Sequence, residues 1–251
     1  MNQAPEFLYR YARINEHLFQ LLTLNQIHFS RFEDFNDPFD CGIVPNFEPP
    51  DNKVEKQYVD QLLRPNPHYK DLVRRIDNEG FTTVMRTGYE QQFLAMKEDV
   101  RVLCLSAIGN NSLMFSHYGD KHRGVCLKFN TSLIPYKENL KPVSYVERVP
   151  SIPLLGKKDP KEDYDRKVVL HYYTKSRDWE HEKEWRVTIR NDDVGKYFFP
   201  PEMLSGVIFG YKTTDSNRLA ITNLLNTMKR NITFQKVVGI KHDFTLDIAD
   251  A

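Results

Sequence analysis

Glu182 and Glu184 stand two residues apart, and Arg186 follows in the same alternation. Read at strand period, Glu182, Glu184, Arg186 and Thr188 share one face, and Lys183, Trp185, Val187 and Ile189 share the other. Carboxylates set side by side raise each other's energy unless a cation or a ligand lies between them. Arg186 is a candidate for that cation. Two uses fit the pattern: a solvated edge face with an internal ion pair, or a polar cleft in which a glutamate handles a cationic or hydroxyl-rich ligand. Tyr9, Arg10 and Tyr11 near the start, with His117 and Tyr118 in the middle, complete a polar aromatic set. Arginine binds phosphate, tyrosine stacks on a flat ring, and glutamate accepts from a sugar hydroxyl. Such a set suits a ligand with phosphates, ribose and a planar ring.

Asn36-Asp37-Pro38 is strong turn chemistry, because Asx side chains bond the backbone ahead and proline fixes φ. It is either an anchored turn pinned by Phe32, Phe35 and Phe39, or a rigid loop presenting Asn36 and Asp37 at the rim of a site. His117 and His122 are five apart, on mismatched helical faces, with no carboxylate or cysteine to complete a set, so no zinc site is expected. A Walker loop, G-x-G-x-x-G, H-E-x-x-H, C-x-x-C and G-x-S-x-G are all missing, which counts against kinase, dinucleotide dehydrogenase, zinc hydrolase and serine hydrolase readings.

The elements that must position these residues follow from periodicity. Phe7 to Tyr11 reads as a first strand, with Tyr9 and Tyr11 on one face. Ile14, Leu18, Leu21 and Leu22 predict a helix, and Ile27 to Ser30 a second strand. Residues from about 53 to 98 predict two or three polar helices, beginning with Val54-Tyr58-Leu62, as an insertion beside a sheet. Val100 to Ser106 is a near-continuous apolar run, expected to be a central strand with Cys104 as an inert core thiol. A short helix over 112–119, capped by Ser112 and stopped by Gly119, leads to a strand with Val125, Leu127 and Phe129 on its apolar face. After Val143–Val146, a helix opens at Asp159-Pro160 and runs to about Lys175, and the Glu182–Arg186 strand follows. Ser205–Gly210, a helix capped by Asp215 with Leu219, Leu224, Leu225 and Met228 inward, and Ile232–Val238 closing the sheet form a strand–helix–strand crossover. The class is α+β with mixed, mostly antiparallel sheets, and the expected organisation is one domain over 1–251.

The charges nearly cancel, 35 basic against 34 acidic, which argues against bulk electrostatic capture of nucleic acid. Three cysteines without metal spacing, a polar start and no long apolar run point to a reducing cytoplasm and no membrane partner.

Leu8-Tyr9-Arg10-Tyr11, Phe35-Asn36-Asp37-Pro38-Phe39-Asp40, Cys104-Leu105-Ser106, Phe115-Ser116-His117-Tyr118, Gly124-Val125-Cys126-Leu127, Glu182-Lys183-Glu184-Trp185-Arg186 and Ile208-Phe209-Gly210 occur in this order. Together they resemble a prokaryotic family of domains of unknown function, number 2971, found in bacteria and in phage-defence neighbourhoods. Phe115 stands where tryptophan is expected. An early basic–aromatic strand, a middle serine or tyrosine and a late Glu-x-Glu strand are also similar to the ADP-ribosyltransferase superfamily. That resemblance implies a split sheet with NAD between its halves. It implies that Arg10 or its neighbours Tyr9 and Tyr11 hold NAD, that Tyr118 or Ser106 takes the middle role, that Glu184 is the catalytic carboxylate, and that Glu182 orients an acceptor. Asn36, Asp37, His117 and Arg186 complete the expected cofactor-binding set. The implied activity is transfer of ADP-ribose from NAD to a protein or nucleic acid, or NAD hydrolysis, by a toxin or phage-defence effector with an antitoxin or defence-system partner. The competing expectations are a metal-dependent nuclease-like effector, a sensing module for a nucleotide or phage protein without chemistry, and a purely structural ion-pair strand.

Overall fold

Trp185, Val187 and Ile189 carry out the alternation read from the sequence: all three are buried in one apolar cluster with Leu8, Leu103, Leu105, Val125, Leu127 and Phe129 of neighbouring strands. Burial of such side chains is worth about 1.5–3 kcal/mol each against exposure. The computed structural model describes residues 3–37, 39–41, 46–48, 51, 53, 57, 64–153, 160–190 and 196–251. In chain order its elements are β1 (Phe7–Ala12), α1 (Glu16–Leu24), β2 (Gln26–His28), β3 (Asn46–Glu48), α2 (Tyr69–Glu79), α3 (Phe81–Glu98), β4 (Val100–Ser106), α4 (Ser112–His117), β5 (Val125–Asn130), β6 (Leu140–Pro142), β7 (Ser144–Val146), β8 (Ser151–Pro153), α5 (Pro160–Tyr172), β9 (Thr174–Ser176), β10 (Glu184–Arg190), β11 (Lys196–Phe198), β12 (Leu204–Phe209), α6 (Asp215–Thr227), β13 (Thr233–Ile240) and β14 (Leu246–Asp250).

The fold is α+β. Eight strands form one sheet in the order β14-β13-β12-β5-β1-β4-β10-β6. Neighbours run antiparallel except β12 and β13, which are parallel and joined through α6, the crossover that the glycine-turned strand–helix–strand pattern predicts. Three two-stranded ribbons flank the sheet: β2 with β11, β3 with β8, and β7 with β9. Behind the main cluster, the opposite face carries two smaller ones. One holds Tyr11, Met114, Phe115, Cys126 and Ile208, and the other holds Phe32, Cys41, Val100, Val102, Tyr172 and Tyr173.

The sheet is loosest between β1 and β4. β1 pairs with β5 over six residues and β4 with β10 over seven, yet β1 and β4 share one residue pair, Tyr9 with Ser106, among the described residues. Beyond it the segment after β2 takes over: Ser30 and Val102 exchange both backbone hydrogen bonds, at 2.8 and 2.9 Å. An opening is left between the two halves of the sheet.

Several expectations are corrected. β2 covers Gln26–His28 and not 27–30, and β14 rather than the 232–238 strand forms the sheet's edge. α4 is capped by Asn111, whose side chain accepts from Met114 N, and α6 by Thr214, which accepts from Asn217 N; in each case the capping side chain sits one residue earlier than expected, where its oxygen reaches the free N–H groups. Leu219 is 61 % exposed because Ile221 and Leu225 form the inward stripe. Phe39 is exposed, so Phe32 and Phe35 alone anchor the turn, with ring centroids 5.7 Å apart. α5 ends at Tyr172, and Lys175 lies on β9. Val54, Tyr58, Leu62 and Asp159 lie outside the described residues, as does Pro38.

Leu127→Ala, in the fully buried centre of β5, should cost about 2–5 kcal/mol in urea unfolding. Leu219→Ala should stay within about 0.5 kcal/mol of wild type.

Candidate functional site

The strand alternation that buries Trp185 and Val187 turns Glu184 and Arg186 to the opposite face of β10, where they meet side chains from three other segments. A hollow of about 310 Å³ opens there, at the gap between β1 and β4. Its walls include Tyr9, Cys104, Tyr118, Lys175, Glu182 and Glu184. Gly109 makes room for the Tyr9 ring: a Cβ at that position would fall 2.6 Å from two ring carbons.

Under the hollow lies a nearly dry ion network. Arg186 is fully buried. Its Nε and Nη2 donate to the two carboxylate oxygens of Glu184 at 2.7 and 2.8 Å, and Nη2 also donates to Asp40 Oδ2 at 2.7 Å. Its Nη1 donates to the Tyr172 carbonyl at 2.9 Å and to Cys41 Sγ at 3.0 Å. Lys175, also buried, donates from Nζ to Glu182 Oε2 at 2.7 Å and lies 3.0 Å from Asp40 Oδ2 and 3.3 Å from Glu184 Oε2. Its ammonium also sits 4.8 Å from the centre of the Trp179 ring. The Tyr118 hydroxyl donates to Glu182 Oε1 at 2.6 Å, and Asn36 Nδ2 donates to that hydroxyl at 3.2 Å. Three carboxylates (Asp40, Glu182, Glu184) therefore face two cations (Lys175, Arg186), an excess of one negative group.

The electrostatics follow from this packing. Burial is the largest influence on Glu184 and opposes its charge, but the Arg186 guanidinium, with Lys175 behind it, outweighs burial and holds the carboxyl down to about 2. Lys175 is likewise disfavoured by burial, yet Glu184, Asp40 and Glu182 hold its ammonium well above the usual lysine range. Burial, then the Glu182 charge, push the Tyr118 phenol up, so at neutral pH it is a proton-bearing donor.

The residues singled out in the sequence distribute unevenly. Tyr9, Arg10, Tyr11, Asn36, Ser106, Tyr118, Glu182 and Glu184 all line the hollow. Glu182 is not on the strand: it ends the 3-10 helix Arg177–Glu182, and Lys183, in the left-handed region at φ 45°, turns the chain into β10. The two glutamates converge through that turn and not through alternation. Arg186 lies beneath the hollow and forms none of its wall. Asp37 lines neither this hollow nor the cleft beside it; its Oδ1 accepts from Phe39 N, which makes it the residue that shapes the turn. The Ser106 hydroxyl is engaged by the Glu182 carbonyl at 2.6 Å and the Ile108 amide at 3.1 Å. Tyr11 is buried, with its hydroxyl between the Ile108 carbonyl and the Asn111 amide. His117 is exposed and lines a second cleft, with its ring 6.2 Å from that of Trp179. Cys104 lines the hollow and is no simple core thiol; burial is the main influence raising its pKa, and the Glu184 charge adds to it.

Residue spacing marks neither Lys175 nor Asp40 as a member of the site. Periodicity places Lys175 at the end of a helix, although it follows the consecutive aromatics Tyr172-Tyr173, both of which are buried. Asp40 ended a recognised turn motif, and nothing local tied it to Arg186, 146 residues away. The helix end that carries Tyr118 is fixed by Asp120, Lys121 and His122, three successive residues at positive φ (48°, 54°, 69°). That conformation costs roughly 1–2 kcal/mol per residue.

Residues 114–187 match the model of a family described as protein of unknown function (DUF2971). The match runs from α4 into β10 and takes in Tyr118, Lys175, Glu182, Glu184 and Arg186; the resemblance to that family holds over this segment. No curated protein and no solved structure gives a significant match to the chain. No helix among the described residues is long and apolar enough to cross a membrane.

Arg186→Met should destabilise the fold by about 3–5 kcal/mol, because Glu184 and Asp40 lose the guanidinium that compensates them. A folded-state carboxyl held below its ordinary 4.5 contributes stability above that value and loses it as pH falls towards about 2. Wild-type urea stability should therefore fall across this window, and Glu184→Gln should flatten that limb; parallel acid limbs would show that Glu184 is not the titrating group.

Proposed function

We propose that this protein is an NAD-using, ADP-ribosyltransferase-like effector, of toxin or phage-defence type, which transfers ADP-ribose to a macromolecule. The observation that carries the reading is the hollow between β1 and β4, where Tyr9 and Arg10 from the start of the chain share a wall with Glu182 and Glu184 from its last third. A sheet held together at that place by one residue pair supports the likeness to a split-sheet NAD fold.

Charge supports the same reading. One carboxylate more than the cations present makes the hollow attractive to positive charge. Bound NAD would supply a ribosyl C1′–N bond whose electron pair leaves on neutral nicotinamide as a nucleophile of the acceptor closes on C1′ and releases its proton to solvent. Preformed carboxylates aimed at a sugar that is becoming positive stabilise that state without having to reorganise. Glu182 is the better placed of the two to meet a ribose hydroxyl, since its partners Tyr118 and Lys175 stand in the hollow with it. Glu184, gripped at both oxygens by Arg186, supplies a fixed negative charge close by. Tyr118 donates and so orients Glu182, and Tyr9 offers a ring for stacking. Lys175 and Arg186 already stand among the carboxylates, which favours this account over a metal-dependent nuclease.

The grip on Glu184 also favours one second reading, a module that binds a nucleotide and performs no chemistry. Labelled NAD incubated with the protein and cell extract separates the two. The proposal expects nicotinamide release together with labelled macromolecules; saturable binding without release would identify the module. Glu182→Gln should lower release about 100- to 1,000-fold, the usual effect of removing one preorganised electrostatic group. Tyr118→Phe, which deletes one hydroxyl, should retain the fold in thermal melts and lose activity to a smaller extent. Undiminished release in Glu182→Gln would refute the role given to that carboxylate.

A further inference from the structure

A second cleft, of about 410 Å³, adjoins the acidic hollow and shares Arg10, Tyr11 and Tyr118 with it. β1, α1 and β2 supply most of its walls, and its charge is opposite in kind. Among the described residues its ionisable lining includes Arg10, Arg13 and Lys196, with His17, His28 and His117, and no aspartate or glutamate. The chain as a whole is nearly neutral, so this is a local concentration of cations and not a share of a general excess.

Among the described residues, the two arginines and the lysine in it also lack counter-charges. Elsewhere arginines find carboxylates readily: Arg75 with Glu79, Arg86 with Glu90, Arg177 with Glu147 and Arg218 with Asp215. Among the described residues, none of Arg10, Arg13 and Lys196 makes such a pair. Arg10 is the clearest case. It is half-buried at the junction of the two clefts, and among the described residues its side chain makes one hydrogen bond, from Nη1 to the His28 carbonyl at 3.2 Å. Burial lowers its pKa, as for a guanidinium removed from water without an anion. A guanidinium carries five donors, and a half-buried one with a single neutral protein acceptor has donors left for a ligand in the cleft. The planar donor fork of arginine matches phosphate oxygens, and a lysine beside it adds a compact second charge.

We propose that this cleft binds the diphosphate of a nucleotide through Arg10, Arg13 and Lys196, and that the sugar beyond the diphosphate enters the acidic hollow. The inference rests on the proposed function and specifies its ligand: a nucleoside diphosphate limb on the basic side, a ribosyl group on the acidic side, and Arg10 at the join. Two clefts of opposite charge orient such a molecule in one direction only.

Calorimetric titration of the full chain with ADP tests this without any turnover. Wild type should bind ADP saturably at low salt and lose affinity as salt is raised. Arg13→Glu combined with Lys196→Glu changes exposed positions, so the fold should be retained, and it should weaken ADP binding by about tenfold or more. Nicotinamide riboside, which carries no phosphate, should bind wild type and the double variant equally. No ADP binding by wild type, or equal binding by the double variant, overturns the site. Capture of a single-stranded oligonucleotide instead of ADP, lost in the same variant, would assign the cleft to a nucleic-acid strand and overturn the diphosphate. Nicotinamide release that persists without ADP binding would reject this site alone, and ADP binding without release would reject the transferase reading alone.

Discussion

Arg186 is the residue around which this structure is built. A guanidinium with no exposed surface is costly to withdraw from water, by several kcal/mol even after relaxation, and is tolerated only when its donors are met. Here they are met by Glu184 on its own strand, by Asp40 and Cys41 from the turn near the start, and by the end of α5 at the Tyr172 carbonyl. Lys175 then joins Asp40, Glu184 and Glu182 from above. Three segments, 40–41, 172–175 and 182–186, converge because two buried cations require it. Because desolvation offsets much of its attraction, such a network adds little net stability while intact and costs several kcal/mol when one partner is removed.

The same network explains why a polar hollow persists in the interior of an α+β fold. The sheet face that carries Glu184 and Arg186 cannot be sealed with apolar side chains, and β1 separates from β4 just beyond Tyr9 and Ser106. Segment 29–31 takes the hydrogen bonds β1 relinquishes, so the opening leaves Val102 paired with Ser30. The gap then lies between a carboxylate-rich side and a guanidinium-rich side, with Arg10 bordering both. Polarity of this kind suits a ligand that is cationic or becomes cationic at one end and carries phosphate at the other.

Each glutamate of the pair is held differently, and this matters for what each can do. Glu184 has both oxygens committed to one guanidinium, whereas Glu182 is shared between a lysine and a phenol that both reach the hollow. A committed carboxylate supplies field, and a shared one can exchange a partner for a ligand. The difference arises from Lys183, whose left-handed backbone ends the 3-10 helix and starts the strand between the two residues.

Much of the framework was legible in the residues themselves. Alternation over 185–189 and 125–129, the apolar run at 100–106 and the glycine-turned crossover at 204–240 are local patterns, and local patterns report which face meets the core. Glu182, Glu184, Tyr118 and the opening Tyr-Arg-Tyr, which line one hollow, stood out in the sequence because their side-chain types are expensive to bury. The partners remained hidden. Nothing within a few residues of Asp40 or Lys175 indicates that they close on Arg186 and the two glutamates, and strand period placed Glu182 on β10 when a single positive-φ residue places it beside β10 instead. Residue type and spacing determined which groups would need partners; which partners they found, and that a gap between β1 and β4 would leave them facing a ligand-sized hollow, was decided by long-range packing, because charge compensation acts through space and is indifferent to separation along the chain.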